Sequence, residues 1–121
     1  LHARRTGRSD RVLAVVSAKD ALDLLAEPGD TRDGHPFHVV ATLVGEEEFS
    51  RITQRCAETN ATVLVLGPKA IISPVVIEQA EPLHRHGVRV RSLERFYDER
   101  LGKLPLSSLD SFALMGDIES L

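Results

Sequence analysis

The chain has 121 residues, which is enough for one domain with a substantial core and short for two. Apolar residues make up 42% and charged residues 27%, as in ordinary globular proteins, and the net charge of −3 gives no basic footprint for nucleic acid. A single cysteine excludes an internal disulfide. No apolar run is close to the length of about 20 residues that a membrane span needs. We therefore expect one domain that does not bind nucleic acid.

The N-terminal segment is basic. The first eleven residues contain Arg4, Arg5, Arg8 and Arg11, and the chain begins with Leu1 rather than Met. A basic entrance to a domain is typical of a cytoplasmic linker beside a membrane helix, although a solvated terminus has the same composition. We interpret residues 1–10 as a basic, juxtamembrane linker and expect the chain to be a piece of a longer protein.

The first strand–helix unit begins at residue 11. The apolar run 12–16 predicts a strand buried on both faces. A helix is predicted to follow at once over residues 18–27. Helical spacing predicts that its apolar side contains Ala18, Ala21, Leu22 and Leu25. Its two aspartates, Asp20 and Asp23, are predicted to be surface charges.

The second unit consists of a strand over residues 37–44 and a helix over residues 46–59. Its apolar face is predicted to contain Phe49, Ile52, Cys56 and Ala57, which makes Cys56 a buried structural thiol. The acids Glu46 to Glu48 fall in the first turn, where they suit the helix dipole. An acid at the end of a second strand can also hold a ribose, but these three come later than that role requires.

The remaining elements follow the same alternation. Residues 62–67 and 88–93 predict two further strands, and residues 93–102 a helix that ends at Gly102. Ser73 and Pro74 are a good N-cap and first position for a helix that runs to about His84. Pro82 lies inside that pattern and is expected to kink or shorten the last turn.

This alternation predicts an α/β fold over residues 11–102, a small doubly wound, mostly parallel Rossmann-like sheet with helices on both faces. Residues 103–121 are a C-terminal extension without a clean period. Its apolar side chains are too many for a solvated linker and are expected to pack on this domain or on a copy of it; they are Leu104, Leu106, Leu109, Phe112, Leu114 and Met115.

In open α/β sheets, ligands bind at the carboxyl ends of the strands, so the candidate loops follow Val16, Val44, Gly67 and Arg91. The first loop lacks the glycines of a dinucleotide fingerprint, since Val16, Ala18 and Ala21 stand in their places.

Backbone N–H groups of Ser17, Ala18 and Lys19 remain candidates for weak anion binding at a helix N-terminus, with the charge of Lys19 in support. The loop implies no firm cofactor. A nucleotide or nucleotide-sugar is the ligand class that it still admits.

Other reactive side chains form no recognisable site. His84 and His86 are two positions apart, which on a helix points them away from each other, and no Cys or His cluster completes a metal site. His35 and His38 flank Pro36 at a strand entrance and are interpreted as ordinary surface residues. We predict neither a catalytic constellation nor a metal site from these spacings.

The stretch HGVRVRSLERFYDERLGKLPLSSLD, residues 86–110, carries a resemblance to a known family. It resembles the segment G-V-x-V-…-L-x-x-x-Y-E-x-x-x-G-x-[VL]-P-L-x-x-L of bacterial polyprenyl-phosphate glycosylphosphotransferases, membrane-bound sugar transferases of exopolysaccharide assembly. The matching positions are Gly87, Val88, Val90, Leu93, Tyr97, Gly102, Leu104, Pro105, Leu106 and Leu109. The opening GRSDRVLAVVSAKDALDLL is similar to the start of that family's cytoplasmic Rossmann-like domain, which usually keeps glycines at positions 16 and 18.

The resemblance implies a non-catalytic accessory domain at the cytoplasmic face of the bacterial inner membrane. Transmembrane helices would precede it, and a catalytic segment that moves hexose 1-phosphate from a UDP-sugar to polyprenyl phosphate would follow. The expected partners are that segment, the membrane through the flanking regions, and further copies of the chain in a homo-oligomer. Two alternatives stay open: a sensor that binds a nucleotide or nucleotide-sugar at residues 16–21, and a relative of NAD-dependent nucleotide-sugar oxidoreductases. A catalytic Tyr-x-x-x-Lys pair is missing, since Tyr97 is followed by Leu101.

Overall fold

The computed structural model describes residues 9–28 and 34–108. Parallel strands and helices alternate along them, as predicted. The strands are β1 (Asp10–Val15), β2 (Phe37–Leu43), β3 (Val63–Leu66) and β4 (Arg89–Ser92). The helices are α1 (Ala18–Leu25), a 3₁₀ helix (Glu46–Arg51), α2 (Ile52–Thr59), α3 (Pro68–Ile71), α4 (Pro74–Arg85) and α5 (Leu93–Leu101).

The four strands form one parallel sheet in the order β2-β1-β3-β4. The fold is therefore the predicted α/β class, with a small Rossmann-like sheet. From β1 the chain first adds a strand on one side and then, with β3, on the other. Because the direction of winding reverses between β1 and β3, a crevice opens at the carboxyl ends of these two strands.

Alternate residues of the buried strands supply two cores, one on each face of the sheet. Val12, Ala14, Val63 and Val65 pack with side chains of α1 and α5, and Leu13, Val15, Leu64 and Leu66 pack with those of α2, α3 and α4. Phe96 meets Phe37 edge to face, with 4.9 Å between ring centroids. Continuous apolar strands are thus buried on both sides, as their sequences predict.

The orientation of α1 differs from the prediction. Asp20, Ala21 and Leu24 are buried, whereas Leu22 and Leu25 are 69% and 55% exposed. The helix has apolar residues on two faces, and the sequence pattern alone does not indicate which one meets the sheet. The assignment of Asp20 as a surface charge was therefore wrong, and Asp23 is only partly exposed.

Two features of the later helices also differ from the sequence pattern. The region before α2 is a 3₁₀ helix, and Ala57 of α2 is exposed while Ile52 and Cys56 are buried as predicted. Helix α4 begins with Ser73 as N-cap and Pro74 at its first position, but continues past Pro82 to Arg85, so the proline does not shorten it.

The segment after α5 is described only as far as Ser108. Gly102 adopts the left-handed conformation with φ of 69° and ends α5, as predicted. Pro105 is fully buried, whereas Leu106 is 53% exposed. The expected packing of Leu109, Phe112, Leu114 and Met115 concerns residues outside the described part of the chain.

Candidate functional site

The turn between β1 and α1 is closed by packing. Val16 is 5% exposed and belongs to the core on the α1 side of the sheet. Its N–H donates to the carbonyl of Leu43 (3.2 Å), and the N–H of Gly67 donates to the carbonyl of Val15 (2.9 Å). These bonds tie the turn to both neighbouring strands.

Because Gly67 has no side chain, the residue after β3 lies close to the turn between β1 and α1. A Cβ on Gly67 would lie 3.3 Å from the Val16 Cα and 3.4 Å from the Val15 carbonyl oxygen. Outside the glycines, Asn60 is the residue of the described chain with a positive φ. Val16 and Ala18 therefore do not adopt the left-handed backbone that glycine allows in a tight phosphate-binding turn.

Ser17, Ala18 and Lys19 lie at the start of α1, where the sequence places a weak anion site. The Ser17 side chain is the N-cap and accepts a hydrogen bond from the N–H of Asp20 (3.2 Å). All three residues are exposed, but the carboxylate of Asp20 lies in the same first turn. Anion binding here stays a prediction, and the neighbouring negative charge weakens it.

A cleft of about 440 Å³ lies beside this turn, at the crevice between β1 and β3. Its apolar walls include Val16, Val44, Phe49, Gly67 and Pro68. Three of the four loops predicted to form a site meet here, those after β1, β2 and β3. The volume is within the range of small-molecule sites, about 300–1,000 Å³.

Three charged side chains line the same cleft: Asp20, Glu46 and Lys69. Asp20 is 4% exposed, which makes it the most buried of the three. Sequence reasoning missed Asp20 and Lys69 as site residues. The S-x-x-D spacing of Ser17 and Asp20 is typical of a helix N-terminus, but it does not predict that Asp20 lines a cleft.

The acids that follow β2 are in the first turn of the 3₁₀ helix, as predicted. The Glu47 carboxylate lies over Gly45, where a Cβ would come within 2.5 Å of its Oε2 atom. Glu48 accepts a hydrogen bond from Arg51 at 2.8 Å. Glu46 is therefore the acid of this group that faces the cleft.

A second, smaller pocket of about 290 Å³ lies at the amino end of the sheet, near Arg89, Arg91 and Arg100. Arg89 and Arg100 both donate to Asp10, and Arg91 donates to Glu99 at 3.0 Å. Because these arginines are paired with carboxylates of the fold, we interpret this pocket as part of a structural ion network.

The other candidate side chains have structural surroundings. Cys56 is buried, and burial raises the pKa of its thiol to about 11. Burial, and then the charges of Glu27, Asp23 and Asp20, raise the pKa of Tyr97 to about 12. Tyr97 is 2% exposed and belongs to the core, so it does not face a substrate.

The histidines named from the sequence lie on the surface. His84 and His86 are exposed at the end of α4, and His86 Nδ1 lies 2.7 Å from the carbonyl oxygen of Pro82. His38 lies 3.1 Å from the Ser9 hydroxyl, and His35 is exposed. Within residues 9–28 and 34–108, no group of three His, Cys, Asp or Glu side chains is arranged to hold a metal ion.

The chain matches no family model, no curated protein and no solved structure. Among the helices of the described residues, none is long and apolar enough to cross a membrane.

Proposed function

We propose that this chain is a non-catalytic accessory domain of a membrane-bound sugar transferase that moves hexose 1-phosphate from a UDP-sugar to polyprenyl phosphate. Its place would be the cytoplasmic face of the bacterial inner membrane. Its role would be regulatory or structural, through contact with the catalytic segment of the same protein and through self-association. The resemblance of residues 86–110 to that family is the first support.

The positions that carry the resemblance within the described residues, 87–106, lie along β4 and α5 and in the segments directly before and after them. Leu93 and Tyr97 are buried on the face that packs against the sheet, and Gly102 ends the helix. Gly87 has a φ of 102°, a conformation that favours glycine, just before β4. Leu93, Tyr97, Gly87 and Gly102 of the motif thus have structural roles, which fits an accessory domain.

The closed turn at Val16 is the observation that most favours this role over the oxidoreductase alternative. A dinucleotide fold opens this turn with glycine so that the backbone can approach the pyrophosphate. Here Val16 fills the space, and its backbone is bonded to Leu43. The strand and helix keep their packing role, while the phosphate-binding geometry is lost.

Self-association is supported by the exposed apolar face of α1. Leu22 and Leu25 lie three positions apart and are 69% and 55% exposed. Exposed apolar side chains that are adjacent on one helix are typical of protein–protein contacts. A single Leu22→Lys substitution should shift the protein toward monomer in light scattering, whereas Lys19→Ala on the same helix should not.

The parent activity is tested with the whole reading frame. Membranes from cells that express it should transfer labelled hexose 1-phosphate from a UDP-sugar to polyprenyl phosphate. Membranes without it serve as the control. A reading frame that encodes neither membrane helices nor a transferase segment, or membranes without this transfer activity, would contradict the proposal.

A further inference from the structure

The cleft at the crevice between β1 and β3 is lined by the carboxylate of a residue that is itself mostly buried. Asp20 is 4% exposed and lines the cleft. Its backbone N–H bonds to the Ser17 hydroxyl, but among the described residues no donor bonds to its carboxylate. Asp23 Oδ2 is the fully buried side-chain oxygen of the described residues that lacks a hydrogen-bond partner, whereas the Asp20 oxygens reach the cleft and are acceptors available to a ligand.

The charges around Asp20 indicate what kind of ligand fits. Lys69 lines the same cleft, but the ion pairs of the described chain do not include one between it and Asp20. Glu46 adds a second acid. Two carboxylates in the lining of the cleft disfavour an anionic ligand, and Lys69 together with the helix N-terminus disfavours a cationic one.

The walls favour a molecule with an apolar or aromatic body. Val16, Val44, Phe49 and Pro68 form them, and Phe49 offers an aromatic ring. When such a body packs on these walls, the polar groups of the ligand contact the Asp20 carboxylate. Hydroxyl groups suit a carboxylate because hydrogen bonds to a charged acceptor are the strong ones.

We propose that this cleft binds an uncharged small molecule that packs an apolar or aromatic body on Val16, Val44 and Phe49 and donates vicinal hydroxyl groups to the carboxylate of Asp20. The inference does not depend on the identity of the parent protein. It differs from an anion site at Ser17–Lys19, because the recognition is by an acceptor of the protein and not by its N–H groups.

Adenosine is the probe, since it has an aromatic body and a ribose diol. Its titration is followed by amide chemical shifts, and we expect saturable shifts at Ser17, Gly45, Gly67 and Lys69. The matched 2′,3′-dideoxyadenosine, which lacks the diol, should bind about tenfold more weakly. Adenosine 5′-monophosphate should bind no more tightly than adenosine.

Two variants assign the diol contact. Asp20→Asn should weaken adenosine about tenfold and leave dideoxyadenosine nearly unchanged, while Glu81→Gln, the same change at an exposed carboxylate outside the cleft, should alter neither. Circular dichroism shows whether Asp20→Asn is folded, and the comparison of the two nucleosides on the unaltered chain needs no variant. Equal binding of both nucleosides, no saturable shift with adenosine, or a monophosphate that binds tenfold more tightly would overturn the proposal.

Discussion

Arg100 near the end of α5 donates a hydrogen bond to Asp10, the first residue of β1, across 90 positions of the chain. The Arg100 side chain is 8% exposed and also lies over the Phe96 ring, with its guanidinium carbon 5.4 Å from the ring centroid. Thr62 and Arg89 bond to the same carboxylate. Asp10 thus joins the amino ends of β1, β3 and β4 to the last helix.

Removal of the Asp10 carboxylate should destabilise the fold strongly. Asp10→Ala leaves the buried guanidinium of Arg100 without this partner, so we expect the free energy of unfolding in urea to fall by about 3 kcal/mol. The exposed pair of Glu81 and Arg85 is the control, and Glu81→Ala should cost no more than about 0.5 kcal/mol. If Asp10→Ala lowered the free energy of unfolding no more than Glu81→Ala does, the Asp10 network would contribute little to stability.

Stability should decline in acid partly through Asp10. Burial alone would raise the pKa of Asp10, but hydrogen bonds from Arg100 and Thr62 and the charges of Arg100 and Arg89 lower it below 3.8. Because the folded-state pKa is the lower one, the contribution is full above about pH 5 and disappears as the pH falls through the folded pKa. Urea unfolding from pH 6 to 2.5 should therefore show the stability difference between the unaltered chain and Asp10→Asn shrinking. Parallel profiles would contradict this assignment.

Cys56 should be unreactive in the folded protein. The rise of its pKa from 9.0 to about 11 lowers the thiolate fraction at pH 8 by about 100-fold, and burial blocks access as well. We expect iodoacetamide to label Cys56 at least about 100-fold more slowly in buffer than in urea that unfolds the chain. Comparable rates in the two solutions would mean that the thiol is accessible in the native state.

The packing of the β1–α1 turn is tested by a single methyl group. The φ of Gly67 is −73°, which any residue adopts, so Gly67→Ala acts through its contacts with Val15 and Val16 alone. We expect a loss of about 1–2 kcal/mol in the free energy of unfolding. In a Val16→Ala background the loss should be smaller, because the contact with Val16 Cγ1 is removed while those with backbone atoms remain. A neutral Gly67→Ala would show that the turn has room.

The strand–helix alternation is predictable because continuous apolar runs such as 63–66 specify buried parallel strands by composition alone. The strand order is not predictable in this way, because no local pattern indicates which strand lies beside β1. Helix α1 shows the same limit within one element. Leu22 and Leu25 have ideal helical spacing, yet Asp20 and Leu24 are the residues that face inward. The loops of the cleft were predictable, but the burial of Asp20 depended on which face of the helix meets the sheet.

The central claim is that Val16 closes the turn at which a dinucleotide fold holds pyrophosphate. The most direct test compares the dissociation constants of NAD and adenosine for this chain by calorimetry, with amide shifts of Ser17 to Lys19 as the local readout. We predict that NAD binds no more tightly than adenosine and shifts these amides no further than adenosine does. NAD binding that is tighter by tenfold or more, with saturable shifts at Ser17 to Lys19 beyond those that adenosine causes, would contradict the claim.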